Sequence, residues 1–170
     1  LSFARQDTTE KRKEQMPDIV RASLTLVGSI LRKDRIHLKQ SMDSELPLVR
    51  CNAQQIEQII INLLTNARDA LNRKYPGEDE DKIVEIVIRL VEKGGEPWVR
   101  TTVEDHGSGV PADLMARIFD PFFTTKPRDM GTGLGLSISY GIAQDHGGDL
   151  TVESEEGLYT RFHLDLRAAD

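Results

Sequence analysis

The sequence predicts an α+β domain, a two-layer α/β sandwich in which one mixed, mostly antiparallel sheet carries helices on one face. Its 170 residues suffice for one domain with a proper core and are too few for two large domains. The predicted elements run in the order helix, two strands, long helix, hairpin, glycine-rich segment, helix and hairpin. This order differs from the regular strand–helix alternation of a dinucleotide-binding fold.

The first half of the chain supplies two helices and two strands. Residues 1–15 are polar and charged, and they predict a helix end or a linker before a domain at 16–170. Pro17 suits the first turn of a helix, whose apolar residues recur at helical spacing. Residues 36–42 alternate as a strand does, and residues 46–51 form a second short strand. Asn52 and Gln55 resemble a capping box that opens a long helix ending near Tyr75.

The second half supplies two hairpins and two shorter helices. Residues 82–93 and 98–105 read as strands joined by a GGEP turn, and residues 149–167 form a closing hairpin that turns at 156–157. Short helices are expected at 111–118 and at 133–146.

Composition excludes several classes of protein. The net charge of −6 argues against a general nucleic-acid binder. The single cysteine, Cys51, excludes an internal disulfide and fits a reducing compartment, and we expect it to be inert. No signal peptide and no membrane-spanning run is present. Because the chain begins at Leu1, we expect a cytoplasmic piece of a longer protein, whose membrane anchor, if it has one, would lie upstream.

The long helix carries two distinct faces. An apolar stripe is predicted to face the sheet, and it consists of Ile56, Ile60, Leu63, Ala67 and Leu71. A neighbouring face carries Asn62, Asn66, Asp69 and Arg73 at spacings of four, three and four. Asparagine is a poor helix-interior residue, and its amide oxygen suits Mg²⁺ that keeps waters and phosphate oxygens. A solvated polar stripe is the alternative interpretation.

Two glycine clusters follow. Asp105 stands at a strand end, where a carboxylate can accept a hydrogen bond from an amino group, and Gly107 and Gly109 permit close approach of a ligand. The second cluster, GTGLG at 131–135, opens a helix whose N–H groups form a natural phosphate site. Either cluster alone is equally compatible with a plain turn.

The segment between the clusters, residues 120–130, has no periodicity and contains Lys126. Phe119, Phe122 and Phe123 are predicted to pin its root to the core. It can then close over a bound nucleotide and bring Lys126 toward phosphates; a merely mobile loop is the alternative.

Taken together and in order, four motifs resemble the ATP-binding catalytic domain of sensor histidine kinases, which has the Bergerat fold. INLLTNARDAL resembles the N box, VEDHGSGV the first glycine box, IFDPFFTTK the F box and GTGLGLSI the second glycine box. The likeness covers roughly residues 36–166. LSFAR, at residues 1–5, also resembles the end of the second helix of the dimerisation and phosphoacceptor domain.

The resemblance implies a role for each matching residue. Asn66 would bind Mg²⁺, Asn62 would support the triphosphate, and Asp105 would read the adenine amino group. Gly107, Gly109 and Thr160 would shape the adenine pocket. Lys126 would contact phosphates, and Asp69 and Arg73 would be wall or structural groups. The phosphate side would be lined by the second glycine box, namely Gly131, Thr132, Gly133, Leu134, Gly135 and Leu136.

The resemblance also implies a reaction and its partners. Related ATPases place a glutamate general base four residues before the metal-binding asparagine, and here that position is Asn62. We therefore expect transfer of the γ-phosphate of Mg-ATP to a histidine, for relay to a response regulator. An ATP-hydrolysing enzyme, a serine kinase of the same fold and a catalytically inert scaffold are the alternatives.

None of the chain's own histidines fits the family's acceptor pattern, because His37, His106, His146 and His163 are not followed by an acidic residue. The acceptor domain is thus expected outside this chain, which alone would be inactive in autophosphorylation. We expect the fragment to be monomeric and its parent to be a homodimer.

Overall fold

The computed structural model describes residues 10–124 and 135–170. The helices in these ranges are α1 (Met16–Lys33), α2 (Ala53–Lys74), the 3₁₀ helix η1 (Ala112–Arg117) and α3 (Gly135–Asp145). The strands are β1 (Arg12–Glu14), β2 (His37–Met42), β3 (Val49–Cys51), β4 (Ile83–Lys93), β5 (Glu96–Asp105), β6 (Asp149–Glu155) and β7 (Tyr159–Arg167).

Five of these strands form one mixed sheet in the order β2-β4-β5-β7-β6. β2 runs parallel to β4, and the other neighbours are antiparallel. Inward-facing residues of the sheet, such as Val84, Ile86 and Leu164, are fully buried beneath the helices. This arrangement confirms the predicted α+β sandwich.

The opposite face of the sheet is charged. Asp165 on β7 is buried and accepts two hydrogen bonds from Arg100 on β5, at 2.8 and 2.9 Å, and one from Lys93 at 3.0 Å. Arg161 bridges Glu104 on β5 and Glu153 on β6. A sheet with one apolar and one polar face explains why the helices lie on one side only.

Two expectations about the early strands are wrong. β3 does not join the main sheet but pairs antiparallel with β1, so that Glu14 lies opposite Val49. Residues Arg12–Glu14 are accordingly a strand, where the sequence predicts a helix end or linker. Their RKE sequence carries no strand pattern, and the pairing arises because β3, with Val49 and Cys51 fully buried, offers a free edge. Residues 1–9 lie outside the described part.

α2 crosses the sheet as the sequence predicts. The Asn52 side chain accepts a hydrogen bond from the Gln55 amide at 3.1 Å, which caps the helix, and Tyr75 follows its last residue. All five residues of the predicted apolar stripe are at most 2% exposed. The helix is therefore fixed in rotation by its apolar side.

The remaining elements differ from expectation in detail. The short helix after Pro111 is a 3₁₀ helix, and α3 is described from Gly135 onward. The first hairpin turns at Gly94–Gly95, while Glu96 and Pro97 already belong to β5. In the described residues, no helix has the length and apolar character needed to cross a membrane.

Cys51 lies in the core. It is fully buried, and burial, aided by the negative charge of Glu14, raises the pKa of its thiol to about 12. A thiol that stays protonated is a poor nucleophile, which agrees with the expected inert cysteine.

His146 joins α3 to the start of α2. One ring nitrogen, Nε2, accepts a hydrogen bond from the Asn52 amide at 3.1 Å, while Nδ1 lies 2.8 Å from the Ile142 carbonyl oxygen. This pattern requires a neutral ring with its proton on Nδ1. Burial lowers the pKa of His146, and the charge of Lys11 adds to this effect.

We predict that His146 makes stability depend on pH. Because its folded pKa lies below that of the unfolded chain, the unfolded chain takes up more protons as the pH falls. The contribution of His146 is therefore complete above about pH 6.5 and is lost as the pH falls toward the folded pKa.

Urea unfolding should show that His146→Gln costs about 1 kcal/mol at pH 7.5, the worth of a hydrogen bond, and less at pH 5.5. His37→Gln, on exposed β2, is the control and should change little at either pH. A His146→Gln cost that is equal at both pH values would contradict the prediction.

Candidate functional site

A cavity of about 500 Å³ lies between α2, the end of β5, β7, η1 and the start of α3. It collects residues from four separate stretches of the chain, namely 62–73, 105–124, 135–136 and 156–162. Its lining includes Asn62, Thr65, Asn66, Ala70, Arg73, Asp105, Ser108, Gly109, Val110, Leu114, Ile118, Phe123, Thr124, Gly135, Leu136, Glu156, Thr160 and Phe162.

The structure therefore brings most of the predicted site residues into one place. Those that line the cavity are Asn62, Asn66, Arg73, Asp105, Gly109, Gly135, Leu136 and Thr160. Gly107 and Asp69 are not among the lining residues. Lys126, Gly131, Thr132, Gly133 and Leu134 lie outside the described residues.

Asp105 is the buried charge of the site. It ends β5, is 4% exposed, and accepts a hydrogen bond from the Gly107 amide at 2.9 Å. Burial raises the pKa of Asp105 to about 7, and the charge of Glu104 adds to this; the Gly107 N–H and the charges of Arg73 and Lys74 act in the opposite direction. The carboxyl thus titrates close to neutral pH while facing the cavity.

Gly107 and Gly109 are required by close packing around this carboxyl. A Cβ on Gly107 would lie 2.7 Å from Oδ1 of Asp105 and 2.8 Å from the Ala70 side chain. Gly109 has a φ of +69°, and its Cβ would lie 2.2 Å from the Glu155 carbonyl oxygen. Because these glycines have no side chain, the loop can pack directly against α2 and the closing hairpin.

Asn62 connects α2 to the start of α3. Its amide nitrogen donates to the Gly135 carbonyl at 3.2 Å and to the Ser139 hydroxyl at 3.0 Å. Asn66 lies one turn further along α2 on the same side of the helix, where it lines the cavity. The amide face of α2 and the N-terminal end of α3 therefore border the same space.

Two phenylalanines that precede residue 125 in the chain lie at or close to the cavity. Phe119 packs against Tyr140 and Phe162, with ring centroids 5.3 and 6.3 Å apart, and Phe123 lines the cavity. The prediction that Phe122 also pins the segment to the core is wrong. Phe122 is 73% exposed and has a φ of +66°, so the chain reverses there and turns this ring outward.

Several apolar residues of the cavity wall were not predicted from the sequence. Leu114 and Ile118 line the cavity from the η1 segment, and their spacing of four was the available signal. Phe162 lies two residues beyond Thr160 on β7 and so shares its face, as strand alternation requires. Nothing in the sequence marks Ala70 as part of the site, because its small side chain matters only for the close packing of Gly107 against α2.

A larger and more open depression, of about 670 Å³, lies near Leu90 and Ala168, toward the other end of β4. Its lining includes the acidic residues Asp43 and Glu45 but none of the predicted site residues. The smaller cavity is therefore the candidate functional site.

Comparison with known proteins identifies the family of the chain. Residues 51–170 match the family described as histidine kinase-, DNA gyrase B- and HSP90-like ATPase. The sensor kinase CckA of Brucella abortus is 35% identical over 98% of this chain, and the two-component sensor PprA of Pseudomonas aeruginosa is 41% identical over 86%. The chain spans only 18% and 16% of the lengths of those two proteins.

A solved structure gives the same result for the fold. The catalytic domain of the histidine kinase ThkA superposes with a TM-score of 0.77 at 31% identity, covering 94% of this chain and 97% of that one. The family match, the sensor kinase relatives and this structural likeness all indicate the same kind of domain. The chain therefore belongs to the family of histidine kinase-, DNA gyrase B- and HSP90-like ATPases, as the ATP-binding catalytic domain of a sensor histidine kinase.

Proposed function

We propose that this chain binds Mg-ATP in the 500 Å³ cavity and transfers the γ-phosphate to a histidine on a dimerisation domain outside residues 16–170. That histidine would then pass the phosphoryl group to a response regulator. The observation that carries the proposal is one cavity with a buried carboxyl at one end and an amide-bearing helix face beside a helix N-terminus at the other.

The carboxyl end suits an adenine base. An ionised Asp105 accepts hydrogen bonds only, which matches the exocyclic amino group of adenine. The apolar side chain of Ile118 and the aromatic ring of Phe162 can pack against the adenine ring. We propose that Gly107 and Gly109 shape this end of the cavity and that Thr160 lines it.

The other end suits a triphosphate. α3 is described from Gly135 onward, and the N-terminal turn of a helix offers backbone N–H groups and the positive end of the helix dipole, both favourable for phosphate. Arg73, whose charge acts on Asp105, belongs to the wall of the carboxyl end instead. We assign Lys126 and the rest of the second glycine box, Gly131–Leu134, to the phosphate end.

The residues present fit a bound Mg²⁺. The described residues contain no group of three or more acidic, histidine or cysteine side chains that could hold a metal by themselves. A cation here would depend on the Asn66 amide oxygen, water and the nucleotide's own phosphates, which is a usual environment for Mg²⁺. When bound, Mg²⁺ supplies positive charge that neutralises the phosphates during transfer.

The chain favours transfer to a histidine over hydrolysis. A water nucleophile needs a general base, and Asn62, whose amide nitrogen already donates to Gly135 and Ser139, cannot take a proton. A neutral imidazole brings its own lone pair and needs mainly positioning. Asn62 therefore acts by holding α3 in place.

The acceptor is proposed to lie on another domain. His146 is held by two hydrogen bonds, and His163 bonds both Thr102 and Glu153 on the charged face of the sheet. Neither lines the cavity. We therefore assign the acceptor to a domain outside this chain and residues 1–11, which precede β1, to the end of that domain and its linker, in a parent that dimerises through that domain.

The test is calorimetric titration of ATP with and without Mg²⁺, with hydrolysis measured on the same sample. Mg-dependent binding of ATP with very slow hydrolysis supports a histidine kinase domain whose acceptor histidine is absent from the sample. Rapid hydrolysis would instead support an ATPase, and transfer to a protein serine would support a serine kinase of the same fold. Absence of binding would overturn the proposal.

We predict that Asn66→Ala removes the gain in ATP affinity that Mg²⁺ provides, a loss of about tenfold or more. The reason is the loss of the one amide oxygen assigned to the cation. Titration with and without Mg²⁺ measures the change.

Asn72→Ala is the matched control for Asn66→Ala. Asn72 lies on the same helix, but its amide nitrogen donates to Asp34 at 2.9 Å, away from the cavity. Its replacement should leave the effect of Mg²⁺ intact. An Asn66→Ala protein that keeps the full Mg²⁺ effect would remove the metal assignment.

We also predict that ATP binding weakens as the pH falls below about 7. The pKa of Asp105 in the free protein is about 7, and the base requires the carboxylate, so binding must release a proton at lower pH. The dissociation constant should rise by up to about tenfold per pH unit below 7 and level off above it.

Asp105→Asn should weaken binding and flatten this pH profile. Asp18→Asn, an exposed change on α1, should leave both unchanged. Titrations in buffers of different ionisation enthalpy would report the released proton directly. A wild-type profile that is flat from pH 6 to 8 would show that Asp105 does not titrate on binding.

A further inference from the structure

Ser154, a residue outside the cavity lining, makes three hydrogen bonds behind the base end of the site. Its hydroxyl donates to the Tyr159 carbonyl at 2.7 Å, accepts from the Val110 amide at 2.8 Å and lies 3.0 Å from the Thr160 hydroxyl. It therefore joins β6, β7 and the loop that follows Gly109.

The three residues form one row across the sheet. Ser154 lies opposite Thr160 in the pairing of β6 with β7, and Thr160 lies opposite Asp105 in the pairing of β7 with β5. Cross-strand neighbours share a face of the sheet, so all three side chains project toward the helices. Thr160 and Asp105 line the cavity, and Ser154 stands behind Thr160.

The number of protons fixes the direction of these bonds. A serine hydroxyl has one proton, and that of Ser154 is used on the Tyr159 carbonyl, at the shortest of the three distances. The bond between Ser154 and Thr160 must then take its proton from Thr160. The Thr160 oxygen consequently presents lone pairs alone to the cavity, beside the carboxylate of Asp105.

We propose that Ser154 is a positioning residue that determines which base the site accepts, by turning the Thr160 proton away from the cavity. The inference rests on the proposed nucleotide-binding function. Two neighbouring acceptors select a base edge that carries an amino group. A carbonyl at the same position meets lone pairs and finds no donor, so it is rejected.

Loss of the Ser154 hydroxyl should relax this selection. In Ser154→Ala the Thr160 hydroxyl can rotate and donate toward the cavity, so a carbonyl-bearing base is tolerated. The Val110 amide and Tyr159 carbonyl also lose their partner. The variant should therefore bind ATP more weakly and, more tellingly, distinguish it less well from inosine triphosphate, which has a carbonyl in place of the adenine amine.

The experiment is titration of the chain with ATP and with inosine triphosphate at pH 8, where Asp105 is ionised. We expect the ratio of the two dissociation constants to fall about fivefold in Ser154→Ala, the worth of one hydrogen bond. Ser154→Thr, which keeps the hydroxyl, should retain the wild-type ratio. Thr151→Ala, an exposed change on the same strand, should also retain it.

Ser154→Cys covers the case in which Ser154→Ala does not fold. It keeps nearly the same volume but offers a weaker donor and acceptor, so the ratio should be intermediate. A wild-type ratio in Ser154→Ala, or in Ser154→Cys where only that variant folds, would overturn the inference while ATP binding stands. If the wild-type chain binds neither nucleotide, the proposed function fails and the inference fails with it.

Discussion

The rotational position of α2 on the sheet is the constraint on which the site depends. Five residues from Ile56 to Leu71 are at most 2% exposed, so only one side of the helix can face the sheet. A rotation by one residue, about 100°, would expose this stripe and bury amide side chains. The position that satisfies the core therefore also aims Asn62 and Asn66 into the cavity.

The cavity wall around Asp105 depends on three elements that pack too closely for a side chain to fit between them. Gly107 lies against Ala70 of α2, and Gly109 against the Glu155 carbonyl of the closing hairpin. The hairpin is held there by a hydrogen bond from the Gly157 amide to the Ser108 carbonyl at 2.7 Å. This packing excludes water from Asp105, which explains why the pKa of its carboxyl is raised.

α3 is anchored at both ends to the helix that carries the amides. Asn62 holds its first turn through Gly135 and Ser139, and His146, just beyond its last residue, bonds the Asn52 amide at the start of α2. The two helices are thus joined near each end. This arrangement fixes the first described turn of α3 beside Asn62, on the amide face of α2.

The sequence by itself determined the helices, the hairpins, the apolar stripe of α2 and the strand-end carboxylate, because each depends on local periodicity or turn chemistry. Tertiary structure alone decided that β3 pairs with β1, that Phe122 turns outward and that Ala70 admits Gly107. It also placed Ser154 behind Thr160, because the pairing of β6 with β7 has no local signature in the sequence. The direction of the hydrogen bond between the two hydroxyls follows from the other partners of Ser154, which the sequence does not show either. Such features depend on contacts between segments far apart in the chain, where burial and hydrogen-bond completion, rather than the preferences of neighbouring residues, set the geometry.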